Sequence, residues 1–228
     1  MKTWAFVAAG GAGRRIAAGV PKQYLALGGR EILRHAIERL ASHPAIDGVV
    51  VGISEADPHF ARLADLPVCA VTRAGAERAD TVLAGLGAMT SFADDADWVM
   101  VHDAARPLLR HRDIDSLLQA RGGDGALLAI PLTDTVKFAD AHGRVERTVD
   151  RSRLWRAATP QLFPFGALRD ALAAAIATGV EVTDEAAAME RAGFRPALVP
   201  CAPDNIKITS PGDLPLAEWL LERQECET

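Results

Sequence analysis

The chain is poor in cysteine: it carries three, Cys69, Cys201 and Cys226, in 228 residues. They are far apart, odd in number and without metal-type spacing, so no disulfide framework is expected and the thiols read as reduced. No apolar run approaches the ~20 residues of a membrane-spanning helix. The N-terminus leads directly into an apolar segment, without the charged region, apolar stretch and cleavage site of a signal peptide. A soluble cytoplasmic protein with no membrane partner is expected. A basic excess is also missing, with a net charge of −5 and a pI of about 5.7, which argues against a nucleic-acid partner. There is no internal repeat, low-complexity tract or convincing linker, so residues 1–228 read as a single domain. No Ser–His or Cys–His set suggests a covalent nucleophile.

What the chain does have is alternation. Short apolar runs at about 3–9, 47–53, 68–72, 97–102 and 125–130 read as buried strands. Between them lie helical segments at 31–43, 56–63, 77–89 and 113–120. The first shows the helical spacing Ile32, Leu33, Ala36, Ile37 and Leu40 and is stopped by Pro44. Continuously apolar strands alternating with helices imply an α/β fold, a Rossmann-like, mostly parallel sheet covered by helices on both faces. Ligands of such sheets sit at the carboxyl ends of the strands, so the loops at Gly10, Gly75 and Asp103 should converge on one rim. The pattern then changes. Residues 133–150 alternate polar and apolar around Ala141-His142-Gly143, a hairpin too polar on both faces for a buried sheet. It reads as a dimerisation arm spanning about 131–154. Helices at about 165–178 and 184–192, strands at 195–200 and 205–208 and a helix at 213–223 complete the chain, with no element given to Trp155 or to Thr159-Pro160-Gln161.

The first loop carries the most chemistry. Gly10-Gly11-Ala12-Gly13 ends the first strand, and Arg14, Arg15 and, behind Pro21, Lys22 follow. Glycines let an anion approach bare backbone N–H groups, and three cations make that anion a polyphosphate. The commonest meaning of glycines after a strand, a dinucleotide site, does not fit. Ile16 stands where the third glycine of G-x-G-x-x-G belongs, and Gly19, Val20 and Pro21 delay the helix. Arg14 either joins Arg15 or points away from it.

Further motifs follow in order: P-K-Q-Y at Pro21 to Tyr24, R-A-D-T-V at Arg78 to Val82, V-H-D-A-A-R-P at Val101 to Pro107, and D-T-V-K at Asp134 to Lys137. Then come T-V-D-R at Thr148 to Arg151, T-P-Q at Thr159 to Gln161, T-D-E-A at Thr183 to Ala186 and D-N-I-K-I-T at Asp204 to Thr209. Over nearly the whole chain this set resembles the 2-C-methyl-D-erythritol 4-phosphate cytidylyltransferase family of the non-mevalonate isoprenoid pathway. The resemblance implies a nucleotide-diphospho-sugar transferase-like fold. It also implies transfer of the cytidylyl group of CTP to methylerythritol phosphate, with release of pyrophosphate.

It implies roles as well. Arg15, Lys22 and Lys207 would be catalytic. Ala9, Gly10, Gly11, Gly13, Gly75, Thr81, Asp103 and Ala104 would meet the nucleotide. Arg106, Thr135, Arg151 and Thr183 would meet the polyol phosphate, with Arg151 coming from the neighbouring subunit of a homodimer. Asp103 would face a divalent cation, Mg²⁺, which prefers oxygen ligands; Asp204 is a weaker second candidate. Bland readings stand beside these. Asp103 could cap the segment that follows it, and His102 is a structural neighbour. Thr81 could be an ordinary early-helix residue, Thr183 a cap, and Thr135 and Arg151 hairpin edge residues. Three positions depart from the family pattern: Gly10 in A-G-G where A-A-G is usual, Thr81 where serine is commoner, and Ala76 where an acidic residue can occur. Two other functions remain open: a cytidylyltransferase for another polyol phosphate such as ribitol 5-phosphate, and a non-catalytic nucleotide-binding module.

Overall fold

The computed structural model describes residues 1–11 and 20–226. Its strands include β1 (Thr3–Ala8), β2 (Ala26–Leu27), β3 (Arg30–Glu31), β4 (Gly48–Ile53), β5 (Ala70–Arg73), β6 (Trp98–Asp103) and β7 (Ala126–Pro131). They continue with β8 (Val136–Ala139), β9 (Val145–Val149), β10 (Trp155–Pro164) and β11 (Ala197–Pro200). The α-helices are α1 (Ile32–Ala41), α2 (Arg78–Met89), α3 (His111–Gln119), α4 (Phe165–Ala177), α5 (Glu185–Arg191) and α6 (Asp213–Cys226).

Among the described residues, the main sheet has seven strands in the order β11-β7-β10-β6-β1-β4-β5. β1 pairs in parallel with β4 and with β6, β4 with β5, and β11 with β7. β10 runs antiparallel to both β6 and β7. The parallel strands therefore all end on one edge, where the glycine loop and the loops after β5 and β6 meet.

Side chains of β1 alternate between the faces, yet both faces are buried. Ala5 and Val7 pack in one cluster with Leu33 and Ile37 of α1 and Ile114 of α3. Trp4 and Phe6 pack in the other with Val82 and Leu86 of α2 and Leu168 of α4. Phe6 explains a glycine in mid-helix. A Cβ on Gly85 would lie 2.0 Å from the Phe6 ring, so only glycine lets α2 approach the sheet this closely. A third cluster, Leu27, Ile32, Leu108, Ile208, Ala217 and Leu221, seats α6.

Three expectations are corrected. The helix at 56–63 is only a 3₁₀ turn, Phe60–Leu63; Pro58 disfavours helical backbone at Asp57 before it, and the Asp57 side chain takes the His59 N–H. Residues 205–208 form no strand and cross the end of β6, tied by the Ile208 N–H to the Ala105 carbonyl at 2.9 Å. Trp155–Pro164, given no element from sequence, is the central antiparallel strand. Its proline signals a break, but a register irregularity between Ala157 and Gln161 absorbs it. The hairpin lies where it was expected, as a separate two-stranded sheet of β8 and β9. It leaves Phe138 and Val145 exposed.

Candidate active site

The glycine loop is clamped before residue 12. Gln23 donates to the Ala9 carbonyl at 2.9 Å and Ser54 to the Gly10 carbonyl at 3.1 Å. This holds Gly10 and Gly11 against a cleft of about 260 Å³, whose wall also includes Lys22, Gly75 and Asp103. Ala9, Ala104 and Thr81 line it as well. Lys22 Nζ rests 3.3 Å from the Ile208 carbonyl, which brings it beside the segment carrying Lys207. Gly13, Arg14 and Arg15 lie outside the described residues. Thr81 is buried; its hydroxyl accepts from the Gly75 N–H at 3.1 Å and donates to the Glu77 carbonyl at 3.0 Å. It shapes the Gly75 turn, and that is how the side chain is occupied.

Asp103 ends β6 with its carboxylate nearly buried. Arg78 Nε reaches Oδ1 at 3.0 Å, and Lys207 Nζ reaches Oδ2 at 2.8 Å. Arg106 Nε stands 3.8 Å from Oδ2, too far to bond. Burial alone would raise the Asp103 carboxyl, but Arg78 and Lys207 outweigh it and hold the group well below the usual carboxylate range. The side chain faces these cations and caps no helix among the described residues.

His102 is fully buried and lowered to about 4, chiefly by burial. Nε2 lies 3.0 Å from the Arg106 carbonyl, which only accepts, so Nε2 carries the proton. Nδ1 then accepts from the Thr159 hydroxyl at 3.1 Å, and that hydroxyl accepts from the Asp103 N–H at 3.0 Å. This neutral imidazole is a strut beneath Asp103.

A second cleft, of about 170 Å³, adjoins the first. Arg78, Asp103 and Lys207 line both and form the partition between them. Arg106, Thr159 and Thr183 line only the second. Arg106 is anchored through Nη1 to the Asn205 carbonyl at 2.8 Å, and its buried Nε has no hydrogen-bond partner among the described residues. Thr183 is not a cap: Asp184 caps α5, accepting from the Ala187 N–H at 2.9 Å. Thr135 and Arg151 are exposed on the hairpin and line neither cleft of their own chain. Asp204 turns away to Arg110 and Gln224. Lys207 occupies irregular chain, not the strand expected from its isoleucine neighbours.

Sequence reasoning gave no role to Glu185, or to Arg78 as an ion-pair partner. Arg78 binds Glu185 through Nη1 at 2.5 Å and Nη2 at 3.0 Å, across 107 residues of chain. Only a charged residue at the start of an alanine-rich helix hinted at it. Among the described residues there is no group of three or more metal-type side chains. No described helix is long and apolar enough to cross a membrane.

Two adjoining clefts, cationic and divided by one ionised carboxylate, suit two phosphorylated substrates. The family model for 2-C-methyl-D-erythritol 4-phosphate cytidylyltransferase matches residues 3–223. The chain belongs to this family. A curated family member from Tolumonas auensis is 48% identical over 227 residues, covering 98% of each chain. One from Pseudomonas putida strain F1 is 50% identical over 225 residues, covering 96% of this chain and 94% of its own. A crystal structure of 4-diphosphocytidyl-2C-methyl-D-erythritol synthase superposes with a TM-score of 0.84 at 37% identity, covering 96% of this chain and 99% of that one. The fold is thus the family's mostly parallel sheet covered by helices.

Proposed function

We propose that this chain transfers the cytidylyl group of CTP to 2-C-methyl-D-erythritol 4-phosphate. The products are 4-diphosphocytidyl-2-C-methyl-D-erythritol and pyrophosphate. The observation that carries this is the partition of Arg78, Asp103 and Lys207 between two clefts. CTP takes the larger cleft, with its base and ribose against Ala9, Gly10, Gly75 and Ala104 and its phosphates towards Lys22. The polyol phosphate takes the smaller one, where the unsatisfied Arg106 Nε and Thr183 await an anion.

A phosphate oxygen of the polyol substrate attacks the α-phosphorus of CTP, and the bond from that phosphorus to pyrophosphate breaks. The nucleophile is already ionised, so no general base is required. That agrees with a buried, neutral His102. Lys22 and Lys207 hold the reacting groups in line and take up charge in the transition state, and Arg15 of the glycine loop is assigned the same task by family resemblance. Asp103, a hard, ionised carboxylate at the partition, is the residue that would hold a divalent cation such as Mg²⁺. Such an ion would supply positive charge against the departing pyrophosphate.

The working unit is one cytidylyltransferase domain, 1–228, acting as a homodimer. Its arm, about 131–154, crosses to the neighbour, where Thr135 and Arg151 grip the polyol phosphate. The exposed Phe138 and Val145 give the arm an apolar surface to bury. The test is a pyrophosphate-release assay with CTP against a panel of polyol phosphates, with and without Mg²⁺. Methylerythritol phosphate should be the preferred acceptor. Preference for ribitol 5-phosphate would move the chain to the neighbouring specificity, and CTP binding without turnover would make it a binding module.

A further inference from the structure

Glu185 lines neither cleft, yet it is connected to both. It is completely buried at the first turn of α5. Its two oxygens accept from Arg78 Nη1 and Nη2, while Nε of the same guanidinium donates to Asp103 Oδ1 at 3.0 Å. The guanidinium is planar, with its donors in a rigid fork. Clamped at both terminal nitrogens, it cannot turn, so the direction of its Nε–H and the place of Asp103 Oδ1 are set from Glu185. The base of this chain is rigid too. Gln161 of β10 donates to Asp184 at 2.9 Å and accepts from the Ala186 N–H at 2.8 Å, which pins the start of α5 to the sheet.

We propose that Glu185 is a positioning residue for the transfer reaction: through Arg78 it aims the Asp103 carboxylate at the partition, leaving Oδ2 to Lys207. An ion pair that merely joined α5 to α2 would not need the third bond, from Nε to Asp103. With Glu185 neutralised, Arg78 is free to swing both of its edges onto Asp103 and draw the carboxylate off line. This rests on the assignment of Asp103 to the reaction proposed above.

The test compares Glu185→Gln, Arg78→Lys and Asp103→Asn by steady-state kinetics, calorimetric CTP binding and melting temperature. Glu185→Gln should lower kcat about tenfold or more while KM and Kd for CTP stay within about threefold. Arg78→Lys keeps the charge, loses the fork and should behave alike. A kcat within about twofold of wild type for folded Glu185→Gln overturns the relay. Parallel losses of kcat, CTP affinity and melting temperature make Glu185 structural and overturn it equally. If Glu185→Gln does not fold, Arg78→Ala supplied with guanidinium ion decides: recovery of kcat supports the relay and none overturns it. Full activity in Asp103→Asn would sink the parent assignment instead, a result distinguishable from an active Glu185→Gln beside an inactive Asp103→Asn.

Discussion

Gly10 and Ala74 compete for the space of one methyl group: a Cβ on Gly10 would lie 2.1 Å from the Cβ of Ala74. In this chain the methyl stands on the opposing loop, just before Gly75. Gly10→Ala should therefore be damaging on its own, at the ~1–3 kcal/mol typical of overpacking, with KM for CTP raised because the loop is pushed into the cleft. Adding Ala74→Gly should restore it. Kinetics and unfolding of the two single variants and the double variant give the coupling energy. Simple additivity would show that the two loops do not pack as described.

Acid should weaken the fold through His102 before it reaches Asp103. The buried imidazole is lowered from 6.5 to about 4, so between those values the unfolded chain binds a proton that the folded chain refuses. Stability is then complete above pH 6.5 and falls as the pH drops towards 4. From about pH 7.5 to about pH 5 the loss from this group is about 2 kcal/mol. Asp103 is displaced the same way from an ordinary carboxyl value, 3.8. Its contribution is present above that value and disappears only at lower pH. Urea unfolding at both pH values should show His102→Gln less stable at the higher pH but losing less on acidification. Equal losses in variant and wild type would mean that His102 is not buried and neutral.

Lys22 and Arg151 belong to one reaction but, in the proposed dimer, to different subunits. Lys22→Ala should cut turnover by about 10²-fold or more with the melting temperature within a few degrees. Arg151→Ala should raise KM for the polyol phosphate far more than KM for CTP. If the arm completes the neighbour's site, mixing and reannealing the two variants, assayed at a polyol phosphate concentration where each alone is nearly inactive, restores about a quarter of wild-type activity, because half the dimers then carry one intact site. No recovery on mixing would put Arg151 in its own subunit's chemistry or in none.

Sequence alone determined the layered α/β plan, because buried strands and amphipathic helices write their periods into the chain. It also determined the three loops that meet at the rim, because glycine runs and the Asp103 motif fall where strands end. It missed β10, since Thr159-Pro160-Gln161 looks like a break and only a paired neighbour on each side makes it a strand. It gave Lys207 a strand that does not exist, because two isoleucines imitate alternation while they in fact fill the core beneath α6. The partition was decided by tertiary structure alone. Arg78, Asp103, Glu185 and Lys207 come from four separate segments; their motifs single out Asp103 and Lys207, but nothing local joins these to Arg78 and Glu185. Their arrangement comes from being brought together around two buried carboxylates, Asp103 and Glu185: one guanidinium fork bridges both, and no local period records that contact.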